Sequence, residues 1–147
     1  MKASTDDCAH AILEVTPAIM RTIRTEMRNH RTSDLSIPQF RTLAFIDNNV
    51  GPSLSDVAGH IGLTLPSMSK IVDGLVVRKL ITREVASSDR RRITLALTSR
   101  GQTLLKVARD ATKDCLADRL QSLSPADRVL VINALDTLRP IFLHQSN

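Results

Sequence analysis

Arg90, Arg91 and Arg92 stand side by side between two β-branched runs, "ITREV" at 81–85 and "ITLAL" at 93–97. Three adjacent guanidinium groups repel one another, and the chemistry such a cluster offers is the holding of a polyanion. The charge around it points the same way. Residues 78–100 contain Arg78, Lys79, Arg83, Arg90, Arg91, Arg92 and Arg100 against Glu84 and Asp89, a net +5 that equals the charge of the whole 147-residue chain. Basic charge gathered in one segment is the distribution expected of a surface that meets phosphates. From the arginine run alone, a solvated charged hairpin is the plainer alternative.

Other chemistries find little support. Three Phe and no Tyr or Trp leave no stacking platform for single-stranded nucleic acid. There is no nucleotide-binding glycine loop and no Ser-His-Asp grouping, and the acids are scattered over helix surfaces, so the chain is not expected to be an enzyme or to need a cofactor. His10, His30, His60 and His144 show no i, i+4 pair, and Cys8 and Cys115 lie 107 positions apart. Neither pattern suggests a metal site or a disulfide framework, and reduced cytoplasmic thiols are expected. No apolar run approaches 18 residues, which excludes a helical membrane span. The start "MKASTDDCAH" is polar and acidic, unlike a secretory signal.

The arginines must be carried by an ordered frame, and its elements are legible. Residues 5–15 are weakly helical. Thr16-Pro17 reads as an N-cap with proline at the first helical position, and Ile19, Ile23 and Met27 then share one helix face. The pattern is compatible with one kinked helix or with two. Ser36 and Gln39 have capping-box spacing ahead of Phe40, Leu43, Ala44 and Ile46. Ser53 and Asp56 open a short helix that ends at Gly62. Thr64 caps the next, with Met68, Ile71, Val72 and Leu75 as its buried stripe. Two short helices across a tight turn make a helix-turn-helix, and the two β-branched runs that follow make a wing. Thr98 caps a long helix over about 99–121, with stripes at Leu104, Ala108, Ala111, Cys115 and at Leu105, Thr112, Leu116, Leu120. Ser124-Pro125 opens the last helix, with Val129, Ile132, Leu135 and Leu138 on one face and Pro140 expected to kink or stop it.

A helix entering the major groove by its N-terminal end reads base edges. On this chain that helix runs from Thr64 to Arg78, with Pro66, Ser67, Ser69, Lys70 and Asp73 facing out. The backbone at Ser53 and at Thr64 offers N–H groups to phosphate. The wing residues Arg83, Arg90, Arg91 and Arg92 suit phosphates and the negative minor groove. Asp89 is expected to pair with a neighbouring arginine and hold the loop in shape.

Residues 53–101, "SLSDVAGHIGLTLPSMSKIVDGLVVRKLITREVASSDRRRITLALTSRG", resemble the winged helix-turn-helix of the MarR family of bacterial transcription regulators. The family's wing signature, Asp-X-Arg followed by Leu-Thr and a Gly, falls on Asp89-Arg90-Arg91, Leu97-Thr98 and Gly101. The likeness extends over about residues 16–143. It implies a mainly α fold with a small two-stranded β wing and with N- and C-terminal dimerisation helices at 1–35 and 121–147. The winged helix-turn-helix would occupy 36–100 and a connecting helix 99–121, all within one intertwined domain. It further implies a homodimer on a pseudo-palindromic double-stranded operator, with Arg91 in the minor groove and Asp89 supporting it. The function implied is a repressor released by a small aromatic or phenolic ligand.

The family's effector pockets lie near the first, second and fifth helices. There Arg24, Arg28 and Arg41 can neutralise an anionic ligand, and Met20, Met27, Phe40 and Phe45 can line it. Core packing and solvated surface is the plainer reading of most of these seven. Two alternatives stand beside this function: a redox-responsive regulator acting through Cys8, and a winged helix used for protein contacts. The absence of tyrosine counts against the first, because peroxide-sensing relatives hold their cysteine with tyrosines. The one-sided wing charge counts against the second. One departure from the family is Lys79, where Gly is usual because the turn needs positive φ.

Overall fold

The computed structural model describes residues 2–32, 34–86 and 88–143. In chain order the elements are α1 (Thr5–Asn29), α2 (Ile37–Asn48), α3 (Leu54–Ile61), α4 (Leu65–Val77), β1 (Ile81–Val85), β2 (Ile93–Leu97), α5 (Ser99–Arg119), a 3-10 turn (Leu120–Ser122) and α6 (Pro125–Phe142). The chain is mainly helical with one two-stranded antiparallel sheet, as the sequence implies. It gathers into two compact units, Met1–Thr112 and Lys113–Asn147. His144 and the last residues of the proposed C-terminal segment lie outside the described residues, as does Ser87 in the wing loop.

Hydroxyl caps set most helix starts. Ser36, Ser53, Thr64 and Ser124 each accept a backbone N–H three residues on, as their spacing suggests. The start of α1 corrects the sequence reading. Ser4 and Asp7 form a complete capping box, so the helix begins there and runs through Thr16 and Pro17 unbroken. Thr16 is therefore not an N-cap, and Pro17 sits in the interior of a 25-residue helix. Pro140 likewise fails to stop α6, which ends only at Phe142.

The core of the first unit is built from Phe40, Leu43 and Ile46 of α2, Val57 and Ala58 of α3, Met68, Val72 and Leu75 of α4, and Leu105 and Ala108 of α5. Leu80, Ile81 and Leu95 add the root of the wing. Each large side chain so buried contributes about 1.5–3 kcal/mol relative to exposure. On α5 the buried line is Gly101, Leu105, Ala108 and Thr112, drawn from both expected stripes. By contrast, neither α1 nor α6 contains a fully buried residue. Ile132 and Leu135 of α6 are 58% and 59% exposed.

The strands pair Ile81 with Leu97 through Val85 with Ile93. Only Ile81 and Leu95 are buried, so the outer wing stands clear of the core. Leu95 also donates its N–H to Pro52 O at 2.9 Å, which ties the wing to the α2–α3 loop.

Candidate nucleic-acid interface

The corner between α4 and the wing fixes where the basic segment points. Lys79 has φ 59°, so it accepts the left-handed conformation that glycine usually supplies. Its N–H bonds Val76 O at 2.9 Å and the N–H of Leu80 bonds Leu75 O at 3.0 Å, a Schellman ending for α4. Thr98 locks this corner to α5. Its hydroxyl donates to Lys79 O at 2.6 Å and accepts the Gly101 N–H at 3.1 Å, while its own N–H donates to Leu80 O at 3.0 Å. Gly101 is required by contact, because a Cβ there would meet the Leu80 carbonyl oxygen at 2.2 Å.

The wing tip is shaped by backbone bonds. Ala86 N–H donates to Arg92 O at 2.9 Å, and Arg92 N–H to Asp89 O at 3.1 Å. The Asp89 carboxylate accepts the Arg91 N–H at 2.9 Å. Asp89 thus holds the loop's shape, but through the backbone of Arg91 rather than through a guanidinium, as the sequence had suggested. Asx-type bonding of this kind is what an Asp two residues ahead of a turn N–H provides. Arg90, Arg91 and Arg92 are all exposed.

Two ion pairs tie the wing to the helix-turn-helix. Arg92 approaches Asp56 of α3 at 3.9 Å, and Arg83 of β1 is paired with Asp73 of α4. Asp56 also accepts the Ser53 N–H at 2.9 Å. That backbone bond, then the Ser53 hydroxyl, then the Arg92 charge hold the Asp56 carboxyl below its ordinary value. Behind α4, Arg78 pairs with Asp34 at 2.5 Å. Spacing could not reveal these three partnerships, because the acids lie on other elements.

The remaining α4 residues divide. Pro66, Ser67 and Lys70 are exposed, and Ser69 is half-buried. The Thr64 hydroxyl donates to Ser67 Oγ at 3.0 Å and accepts the Ser67 N–H at 3.3 Å. Ser53 serves as the cap of α3.

The seven residues considered for a small ligand differ in exposure. Phe40 is 3% exposed and belongs to the core, and Met27 packs against that core. Phe45 is half-buried and stacks on His60, centroids 4.5 Å apart. Met20, Arg24, Arg28 and Arg41 are exposed. An open groove of about 390 Å³ lies in the second unit, against Leu120, Leu123, Val131 and Ile132. Cys8 is exposed and Cys115 half-buried, both as thiols.

Residues 33–92, which hold the helix-turn-helix and the three arginines paired with Asp34, Asp56 and Asp73, match the MarR family model. Over those 60 residues the chain is similar to the MarR family. The HTH-type transcriptional regulator ML2140 of Mycobacterium leprae is similar over 133 residues at 26% identity, covering 90% of this chain and 93% of that protein. Regulator Tm0710 of Thermotoga maritima shares the fold, with a TM-score of 0.73 at 16% identity over 90% of this chain and 94% of its own. S. aureus MepR, solved with ethidium bromide, has a TM-score of 0.62 at 21% identity over 85% and 91% of the two chains. A MepR variant is also solved with an oligodeoxyribonucleotide, at a TM-score of 0.55 and 20% identity over 88% of this chain and 94% of its own. The likeness over 33–92, and relatives named as HTH-type transcriptional regulators, point to a DNA-binding transcriptional regulator.

Proposed function

We propose that the chain is a homodimeric, sequence-specific repressor acting on a pseudo-palindromic operator in the cytoplasm. Each α4 would enter a major groove through Thr64, Pro66, Ser67, Ser69 and Lys70, with Ser53 offering backbone N–H to phosphate. Arg90 and Arg92 would lie along the backbone and Arg91 in the minor groove, with Asp89 holding the turn. Arg83, whose charge Asp73 already meets, would contribute least. The observation that carries this reading is an exposed arginine tip tied by Arg92–Asp56 and Arg83–Asp73 to the two helices of the helix-turn-helix. A titration of binding against salt tests it, because phosphate neutralisation gives a steep linear log–log loss of affinity.

The segments 1–35 and 121–147 would form the dimer and 36–100 the DNA-binding part, with 99–121 joining them. Exposed apolar side chains on α1 and α6 support this, since isolated helices do not leave such stripes in water without a partner. Ile132→Glu or Leu135→Glu should then yield monomers in sedimentation, and persistence of the dimer would refute the assignment. Recognition helices one duplex turn apart, about 34–36 Å, would complete the geometry.

The effector in this reading is a small aromatic ligand, an idea supported by the ethidium bound to MepR. Met20, Arg24, Met27, Arg28, Arg41 and Phe45 are the residues to mutate, with Phe40 serving the core beneath them. A ligand at 100 times its dissociation constant adds about 2.7 kcal/mol, which a melting screen of aromatic acids and planar cations would register.

A further inference from the structure

We propose that Leu65 and Pro66 recognise the C5-methyl groups of thymine in the major groove. This rests on the reading of α4 as the groove-binding helix and states what that helix reads. The polar inventory of α4 is small. The Thr64 and Ser67 hydroxyls are bonded to each other, Ser69 is half-buried, and Asp73 is paired with Arg83. Lys70 is the helix's one cation. Its leading end is apolar instead. Leu65 is 50% exposed, Leu63 in the preceding turn is 36% exposed, and Pro66 is exposed.

Pro66 has no N–H, so it can donate to neither phosphate nor base. Leu65 leaves half its surface in water at the end of the helix that penetrates the groove first. Among unmodified base pairs only A·T and T·A present a methyl there, whereas G·C presents polar edges alone. The positive wing alongside brings the duplex to these side chains, and the methyl is the feature of the groove that an apolar leading edge can distinguish.

The test uses the full chain and a site selected from a randomised duplex pool. Each thymine of the half-site is replaced in turn by deoxyuridine, which deletes the methyl and keeps the hydrogen-bonding edge. Loss of one buried methyl should weaken binding about fourfold at one or two positions. Leu65→Ala or Pro66→Ala should bind thymine and deoxyuridine sites alike. Val77→Ala removes an 80%-exposed apolar residue at the other end of α4 and should keep the discrimination. Indifference of the native chain to every deoxyuridine would overturn the inference while leaving DNA binding intact. So would an undiminished methyl effect in both the Leu65 and Pro66 variants. Failure to select any duplex would remove the groove-binding role of α4, and this inference with it.

Discussion

The carboxylate of Asp89 accepts the backbone N–H of Arg91 at 2.9 Å, so the wing's acid positions its central arginine through the main chain. Electrostatics and geometry then make opposite forecasts for Asp89→Ala. Removing a negative charge beside DNA should tighten binding, whereas losing the turn should loosen it. We expect a several-fold loss of affinity, with Asp89→Asn close to native because its amide oxygen still accepts. Tighter binding by Asp89→Ala would show that the turn has no part in recognition.

For Arg91→Ala the informative quantity is the salt dependence. Two positive charges per dimer are removed; if both displace counterions from the minor groove, the slope should fall by about 1.8, at about 0.9 each. Preference for A·T-rich flanks should weaken with it. Lys106→Ala is the control, since Lys106 is an exposed α5 cation paired with Asp110. Equal changes in both variants would reduce the wing effect to net charge.

Lys79→Gly should separate stability from binding. Relief of the left-handed strain, less the added freedom of the unfolded chain, should stabilise the fold by about 0.5–1 kcal/mol, a melting rise of about 2 °C. The lost cation should weaken DNA binding if Lys79 meets phosphate. Gly101→Ala should destabilise by about 3 kcal/mol, because the new Cβ presses on the Leu80 carbonyl, which is backbone and cannot swing away. A Gly101→Ala chain melting at the native temperature would contradict the contact.

Acid should weaken the Ser53–Asp56 cap first and the Arg92 tether with it. Its pKa is depressed in the folded chain, so its stabilisation is complete above the unfolded aspartate value of about 3.9 and is lost as pH falls through the lower folded value. Between pH 5 and 8 the contribution is constant. Comparing melting of the native chain and Asp56→Asn across acid pH should show the gap closing on acidification. A gap that widens in acid would reverse the sign of this linkage.

What the sequence disclosed follows the range of the interactions involved. Caps such as Ser36–Gln39 and Ser53–Asp56 are local, as is the glycine at the end of α3, and the structure places them where spacing does. The corner at Lys79 needed a positive φ, and the residue takes it despite being lysine. What escaped were partnerships between elements. Asp73 looks like a groove-facing acid until Arg83 is placed beside it, and Asp56 looks like a cap alone until Arg92 arrives. Thr16-Pro17 misled because a strong local start signal was overruled by a stronger one at Ser4–Asp7. Phe40 was grouped with candidate ligand contacts because periodicity shows which face is apolar, not whether a core already fills it.

Pro17 carries a consequence for α1. It supplies no N–H to the carbonyl of Leu13 and its ring crowds the preceding turn, an interior cost of about 3 kcal/mol. No residue of the helix is fully buried to offset this, and Leu13, Val15 and Ile19 stand exposed. Met27 anchors the C-terminal part of α1 on the core, and in the proposed dimer the order of its N-terminal part would be set by whatever covers those side chains. If the proposed dimer supplies that cover, the helicity of α1 becomes a function of concentration, and serial dilution followed by far-ultraviolet dichroism should show the N-terminal helix fading before the helix-turn-helix does.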